Sequence, residues 1–326
     1  MFHRQFFLGP MTKNVVDTVL EFNRSHGDYF GFIPSRRQIE AKSLGCGYVN
    51  NWSTQDFQKY VRETLVLRDH AGPAQGKTGD DGVESILSDI KAGVKFIHVD
   101  PWKIASNIED AAAMTIKLVE RCLLDDNECH FEVGTEEAIF PYTASDLRRF
   151  LDILTRDLSP ADFKKIVYCV IQSGTRVRAD GNDGEFDAVR SREMATICHS
   201  FGLKTKEHNS DYLSVEEFVQ RRKAGVDSFN IAPELGLTET KRVLELLTAK
   251  PDLREEFIEL CIRSGTWTKW IEPEAERERI TSVCGHYVFS TPEFKSIVAR
   301  LGNDKFDDEI RLAILRKLNY IYAVLT

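Results

Sequence analysis

The chain has 326 residues, of which 42% are hydrophobic and 29% are charged. This composition provides enough apolar surface for a sizeable core and excludes a disordered protein. The formal charge is -8, from 43 basic and 51 acidic residues. Neither sign forms a long block, so the charge pattern favours neither nucleic acid nor an anionic membrane as a partner, and no apolar run approaches the roughly 18 residues needed to cross a bilayer.

Short β-rich runs alternate along the chain with stretches whose apolar residues recur at helical spacing. The predicted strands lie at 6–10, 29–33, 65–69, 95–100, 129–133, 166–173, 203–208 and 227–232. Ser214, followed three residues later by Glu217, has the pattern of a capping box at a helix start. No GxGxxG turn follows the first strand, so the eight β–α pairs predict an α/β fold of the (β/α)8 TIM-barrel type rather than a doubly wound sheet.

Residues 250–326 do not continue this alternation and have the pattern of helices around the aromatic stretch 267–270. We therefore predict a (β/α)8 barrel over residues 1–249 and a C-terminal helical extension over residues 250–326 packed on the barrel. Packing or oligomerisation is the favoured role of the extension, and a lid or substrate-contacting role is the alternative. We expect a homo-oligomer.

The cysteines and the N-terminus bear on the cellular compartment. The seven cysteines are scattered, odd in number and without a Cys-x-x-Cys pair, which favours reduced thiols over a disulfide framework. The N-terminal segment reaches Pro10 and Lys13 before the apolar part of a signal peptide could develop. We therefore expect a cytoplasmic protein.

Ionisable and other polar side chains collect at the carboxyl ends of the predicted strands, which is where a TIM barrel carries its active site. The set comprises Arg68, Asp69 and His70 for strand three, His98 and Asp100 for strand four, Glu132, Glu136 and Glu137 for strand five, Glu207, His208, Asn209, Ser210 and Asp211 for strand seven, and Asn230 for strand eight.

Histidine nitrogens and carboxylate oxygens from several strands, aimed at one barrel mouth, form a donor set for a divalent metal with a position left for substrate. Zinc is favoured, with manganese or another divalent ion as alternatives. Such an ion would polarise a ketose carbonyl and stabilise an enediolate, while a carboxylate such as Asp69 moves a proton. This chemistry serves both aldol cleavage and sugar epimerisation.

Ordered motifs carry a resemblance to a known family. RDHAGP, IHVD, VGTE and HNSDY are the specific motifs, and FNRSHGDYFGFIPSRRQIE, GYVNNWSTQDFQKYV and FNIAPELGLTETKR accompany them. Through these motifs the chain resembles the tagatose-bisphosphate aldolase accessory-subunit family, a branch of the class II, metal-dependent ketose-bisphosphate aldolases. The resemblance implies that Asp69 is the catalytic acid/base, with Asp100 and Glu132 as further acids of the site, and that His70 and His208 bind the metal.

The substrate side of the site is inferred partly from the same resemblance. The turn after strand seven looks like a phosphate-binding turn, and the strand-eight asparagine takes the place of a substrate-contacting residue. Arginines that depart from the family's pattern could bind an anionic group with their planar guanidinium forks. The predicted substrate-binding set is Arg36, Arg37, Gln38, Arg176, Arg178, Asn209, Ser210, Asp211 and Asn230, with Arg68 near it.

The segment after strand six departs from the family's pattern, in which a third histidine ligand follows Gly-Thr. Residues 174–180 read GTRVRAD, without a histidine. Either Asp180, Asp183 or Glu132 completes the metal site, or the metal is weakly held, or the protein is a non-catalytic member. His98, inside the barrel on strand four, is either a packed core histidine or a substrate contact.

Three functions are consistent with these residues. The first is a metal-dependent class II aldolase-like enzyme that acts on a small phosphorylated or otherwise anionic ketose through an enediolate. The second is a ketose or ketose-phosphate C4-epimerase that uses the same metal site. The third is a non-catalytic subunit that stabilises a class II aldolase. The missing histidine after strand six supports the third function, whereas Asp69, His70, Glu132 and His208 support the first two.

Overall fold

Eight parallel strands form the centre of the computed structural model, which describes residues 5–77, 79–135 and 142–324. Each strand overlaps one of the eight predicted strands, so the predicted TIM barrel is confirmed. The strands are β1 (Phe6–Leu8), β2 (Phe30–Phe32), β3 (Leu67–Ala71), β4 (Phe96–Val99), β5 (His130–Gly134), β6 (Ile166–Val170), β7 (Lys204–Glu207) and β8 (Ser228–Ile231).

Around the barrel the strands follow the order β2-β1-β8-β7-β6-β5-β4-β3, and every neighbouring pair is parallel. Parallel bridges from Phe32 to Val66 and from Ser35 to Asp69 connect the β2 and β3 edges. These bridges close the ring, and the carboxyl ends of all eight strands therefore open on the same side of the barrel.

A layer of apolar side chains fills the barrel interior below this opening. It consists of Phe7, Ile33, Leu67, Phe96 and Tyr168, none of which is more than 2% exposed. The ring of Tyr168 meets that of Phe7 edge-on and stacks on that of Phe96, with centroid distances of 6.0 and 5.5 Å. The interior is therefore a packed floor on which polar groups at the strand ends can be held in place.

Helices surround the strands, as the apolar spacing of the sequence predicts. The capping box at Ser214 and Glu217 is present. The barrel helices are α1 (Lys13–His26), α2 (Thr54–Val61), α3 (Val83–Lys91), α4 (Ile108–Asp125), α5 (Ala144–Asp157), α6 (Pro160–Phe163), α7 (Ala188–Ser200), α8 (Val215–Lys223) and α9 (Pro233–Leu246). Short 3₁₀ turns cover Lys42–Leu44 and Leu247–Ala249.

The C-terminal part of the chain is helical and packs on the barrel. Its helices are α10 (Pro251–Arg263), α11 (Arg277–Cys284), α12 (Pro292–Leu301) and α13 (Phe306–Ala323), with 3₁₀ turns at Thr266–Lys269 and Gly285–Tyr287. Helix α13 lies against α1 and α9. No helix in the described part of the chain is both long and apolar enough to cross a membrane.

Candidate metal centre and active site

Four side chains from three strands meet at the carboxyl end of the barrel. Asp69 and His70 belong to β3, His98 to β4, and His208 directly follows β7. One donor atom of each residue lies within 4.8 Å of the donor atoms of the other three. Three imidazoles and a carboxylate at this spacing have the composition of a binding site for a divalent metal.

An irregularity in β3 lets two successive residues reach this cluster. His70 has a φ of 46°, in the left-handed region that non-glycine residues seldom adopt. The pairing register between β3 and β4 shifts between Arg68 and Ala71, on either side of Asp69 and His70. In a regular strand, neighbouring side chains point to opposite faces, so the shift explains how Asp69 and His70 share one site.

Asp100 orients the ring of His70. The Nδ1 of His70 donates to Oδ2 of Asp100 at 2.7 Å, and Gln75 donates to the same oxygen at 2.5 Å. Burial opposes ionisation of Asp100, but its hydrogen bond with His70 and the charges of His70 and His98 lower its pKa below the ordinary value. The Nε2 of His70 faces Asp69, 3.8 Å from that carboxylate. A carboxylate behind a histidine is the usual support of a metal ligand.

Glu132 supports His208 in the same way. It is fully buried, and its Oε1 accepts from Nε2 of His208 at 2.5 Å. Its Oε2 accepts from Nζ of Lys206 at 2.7 Å. Burial raises the pKa of Glu132, but the charges of Lys206 and His208 outweigh this effect and hold it at about 2. Glu132 lies behind the donor cluster rather than within it, and Nδ1 is the nitrogen that His208 would present to a metal.

His98 supplies the third imidazole of the cluster. It is fully buried, and its Nδ1 accepts the backbone N–H of His70 at 3.2 Å. The same nitrogen lies 3.7 Å from the carboxylate of Asp69. The sequence left His98 between a packing and a substrate role. The structure instead places it in the donor cluster, a position that depends on how β4 lies against β3.

Asp69 is held as a carboxylate by the histidines around it. Burial alone would raise its pKa, but the nearby charges of His70, His208 and His98 together place the pKa well below the ordinary value. Asp69 is therefore ionised at neutral pH and is close enough to the cluster either to bind a metal or to accept a proton.

The segment after β6 forms an antiparallel hairpin, Thr175–Val177 with Asn182–Gly184. At its turn, Asp180 binds Arg279 of α11 at 2.9 and 3.1 Å. Asp183 pairs with Arg176 and Arg178. The structure thus does not bring Asp180 or Asp183 to the donor cluster, because both carboxylates are engaged by arginines at the surface.

A cavity of about 520 Å³ lies over the cluster. Many of the residues predicted for the metal site and for substrate binding line this cavity. The predicted residues in its wall are Arg37, Gln38, Asp69, His70, Arg176, His208, Asn209, Asp211 and Asn230. Glu136 and Glu137, also noted at a strand end, lie outside the described residues.

Two arginines expected to bind an anion are instead committed to buried ion pairs. Arg36 donates to Glu40 at 2.6 Å and forms a two-point contact with Asp80 at 2.6 and 2.8 Å. Arg68 forms a two-point contact with Asp89, with both distances at 2.6 Å. Both side chains are buried, and neither Arg36 nor Arg68 lines the cavity.

The predicted phosphate-binding turn is braced by its own hydrogen bonds. Asn209 accepts the backbone N–H of Val177, and the N–H of Ser210 donates to the carbonyl of Asn230, both at 3.3 Å. Ser210 is fully buried and does not line the cavity. Asp211 accepts the N–H of Glu234 at 2.8 Å at the start of α9. Asn209 and Asp211 reach the cavity, but these contacts also give them a structural role.

Asn230 points a buried amide into the cavity. It is 2% exposed, and neither its nitrogen nor its oxygen has a hydrogen-bond partner among the residues that the structure describes. An amide in this condition costs roughly 1–3 kcal/mol per unmade bond, which a ligand hydroxyl or carbonyl can recover. This geometry supports a substrate contact at Asn230.

The C-terminal extension contributes cavity residues that the sequence did not identify. Lys269, Trp270 and Tyr287 line the wall with Arg37. Loss of solvation in the cavity wall, followed by repulsion from Arg37 and Lys103, lowers the pKa of Lys269 to about 8, although much of the residue remains exposed. In the described parts of the chain, no carboxylate pairs with Arg37 or Lys269. The aromatic stretch 267–270 was visible in the sequence, but its placement over the barrel depends on tertiary packing.

Solved structures share this fold. A probable tagatose 6 phosphate kinase from Sinorhizobium meliloti is 15% identical, with 99% of this chain and 100% of that chain covered and a TM-score of 0.77. The fructose-bisphosphate aldolase from Campylobacter jejuni is 11% identical, with 99% and 90% covered and a TM-score of 0.61. The fructuronate-tagaturonate epimerase from Cohnella laeviribosi is 10% identical, with 99% and 81% covered and a TM-score of 0.60.

These TM-scores and coverages show that the three neighbours share the fold of nearly the whole chain. No protein-family model matches the sequence, and no curated protein does.

Proposed function

We propose that the protein is a metal-dependent enzyme that cleaves or forms a carbon–carbon bond in a small anionic ketose. The observation that carries this proposal is the convergence of Asp69, His70, His98 and His208 at the carboxyl end of the barrel. Neighbours of the same fold that are named as an aldolase and an epimerase support it. Epimerisation at C4 on the same site is the second candidate.

The residues present fit a divalent metal. Two of the three imidazoles have a carboxylate behind the ring, Asp100 for His70 and Glu132 for His208. This arrangement fixes the ring orientation of metal ligands. The predominance of nitrogen donors favours zinc. When bound, the ion would polarise the ketose carbonyl and stabilise negative charge on the enediolate.

Asp69 is the proposed acid/base. Its ionised carboxylate would accept the proton of the hydroxyl on the carbon that is β to the carbonyl. The adjacent carbon–carbon bond then breaks, and its electron pair moves to the carbonyl-bearing fragment. In an aldolase the aldehyde leaves. In an epimerase it turns and is attacked again on its other face, and Asp69 returns the proton in both cases.

The cavity wall supports an anionic group at the outer end of the substrate. Arg37 and Lys269 have no carboxylate partner in the described structure, and Arg176 lies in the same wall. The pKa of Lys269 is lowered first by loss of solvation and then by repulsion from Arg37 and Lys103. A phosphate or carboxylate bound there would remove this repulsion. We therefore propose a ketose phosphate or a keto-sugar acid as substrate.

The non-catalytic alternative depended on the missing histidine after β6. His98 offers a third imidazole from β4, which weakens that argument. We also retain as proposals a cytoplasmic location, a homo-oligomeric assembly and a division of the chain after residue 249, just before α10.

Metal analysis combined with product analysis tests the proposed function. Purified protein should contain about one zinc or similar ion per chain and should convert ketose phosphates or keto-sugar acids either to an aldehyde and a shorter fragment or to the C4 epimer. His70→Ala should abolish turnover while Arg178→Ala, outside the cavity, retains it. Folded protein that takes up no divalent metal, or metal-loaded protein inactive on both substrate classes, would contradict the proposal.

A further inference from the structure

A lysine lies inside the barrel directly beneath the donor cluster. Lys206 of β7 is fully buried, with its Nζ 3.8 Å from the ring centroid of Phe7 and 5.1 Å from that of Tyr168. It therefore rests on the apolar floor. Lys206 and His208 are two residues apart, which places both side chains on the same side of the chain as it leaves β7.

The contacts of Lys206 determine what Glu132 can do. Glu132 is also fully buried, and its two oxygens are divided between Lys206, at 2.7 Å, and His208, at 2.5 Å. Burying either charge alone is strongly unfavourable, so each stabilises the other in its buried position. Both oxygens of Glu132 therefore have partners and its charge is compensated. The carboxylate stays directed away from the position of a metal.

We propose that Lys206 is a positioning residue that sets the metal preference of the site. By holding Glu132 behind His208, it keeps a carboxylate out of the ligand set and leaves that set rich in imidazole. This inference rests on the proposed metal site. Imidazole donors suit zinc and cobalt, whereas carboxylate oxygens suit manganese and magnesium.

The contacts of the centre agree with this role. Asp100 and Glu132 each hold one histidine of the donor cluster, and Lys206 is the ammonium that contacts Glu132. Without Lys206, Glu132 would be a buried, uncompensated carboxylate beside the metal, and coordination to the ion would be its nearest source of compensation.

The ratio of the Zn²⁺ and Mn²⁺ affinities is the appropriate measurement, because a general loss of structure would lower both affinities rather than favour one ion. Full-length protein is stripped of metal and titrated with Zn²⁺ and with Mn²⁺ in the presence of a competing chelator. In Lys206→Met we expect the preference for Zn²⁺ over Mn²⁺ to fall at least about tenfold. Lys204→Met is the matched control, since Lys204 lies on the same face of β7 toward its other end, and it should keep the wild-type preference.

Two further variants change Glu132. The first of them can be measured even if Lys206→Met does not fold. Glu132→Gln alone should leave the Zn²⁺/Mn²⁺ preference unchanged, because Glu132 is not a ligand when Lys206 is present. Lys206→Met combined with Glu132→Gln should restore the wild-type preference, because an amide cannot supply a carboxylate ligand.

Equal losses of Zn²⁺ and Mn²⁺ affinity in Lys206→Met, or no change in either, would overturn the inference. A selective loss of Mn²⁺ affinity in Glu132→Gln would do the same, because it would show Glu132 to be a ligand already. Wild-type protein that binds neither ion is a different result, since it removes the proposed metal site itself and the inference with it.

Discussion

His70 and Asp100 are joined by a hydrogen bond of 2.7 Å between Nδ1 and Oδ2, at the point where β3 and β4 open into the barrel mouth. The bond fixes which nitrogen of His70 faces the other donors. It also shows why two acidic residues at neighbouring strand ends have different tasks: Asp69 is inside the donor cluster, and Asp100 stands behind it.

Replacing Asp100 by Asn should weaken metal binding by about 10- to 100-fold without unfolding the protein, because an amide neither holds the His70 tautomer as firmly nor strengthens its basicity. The measurement is a zinc titration against a chelator. Asp183→Asn, which alters a surface carboxylate, serves as the control. An Asp100→Asn protein with wild-type zinc affinity would show that the His70 orientation does not depend on this bond.

His98→Ala should reduce zinc affinity by at least about 100-fold, because it removes one of three imidazole donors. Asp180→Ala should have no such effect, since Asp180 is bound to Arg279 away from the cluster. Both variants can be compared by metal content after dialysis. If Asp180→Ala loses the metal and His98→Ala keeps it, the third ligand comes from the hairpin after β6, and our assignment is wrong.

Lys269→Met should raise KM for the anionic substrate about tenfold and change kcat much less, because the lysine binds the end of the substrate that does not react. An uncharged ketose of the same length should show little change. Thr268→Met, an adjacent exposed position, is the control.

The pH dependence of the same interaction follows from the pKa of Lys269, which is about 8 in the free protein. The ammonium is charged below this pH and loses its charge above it, so KM for the anionic substrate should rise as the pH passes through about 8. This rise should be absent in Lys269→Met. A wild-type KM that is constant between pH 7 and 9 would contradict the assignment.

Glu239 offers a prediction about stability. It is a buried residue of α9 that accepts hydrogen bonds from Thr12 and Asn14, and burial raises its pKa to about 7. Since the folded-state pKa exceeds the unfolded value, the folded protein binds one more proton than the unfolded chain between about pH 4.5 and 7, and the free energy of unfolding falls as the pH rises through this interval. The loss should approach about 3 kcal/mol.

Glu239→Gln should remove this dependence. The free energy of unfolding of the variant, measured by urea unfolding, should therefore increase relative to that of wild type as the pH rises from 5 to 8. Glu245→Gln, exposed on the same helix, should show no such trend. Parallel pH profiles for wild type and Glu239→Gln would mean that the carboxyl is not protonated in the folded state.

Much of the fold and part of the site could be predicted from the sequence, because both depend on local patterns. Eight alternations of strand and helix specify the barrel, and position at a strand end identified Asp69, His70 and His208. The role of His98 could not be deduced, because it depends on how β4 lies against β3. Arg36 and Arg68 were placed near an anion, because nothing local shows that Asp80 and Asp89 fold back onto them.

The extension forms one wall of the cavity, and this divides the site into two parts that can change separately. The strands carry the proposed metal end, whereas Lys269, Trp270 and Tyr287 face the outer end. Under the proposed function, substitutions within 266–287 would therefore change which substrate is accepted without disturbing the reacting centre. Exchange of this segment between proteins of the same fold would be a direct route to new substrate preferences, and a barrel truncated after residue 249 would lack that half of its recognition surface.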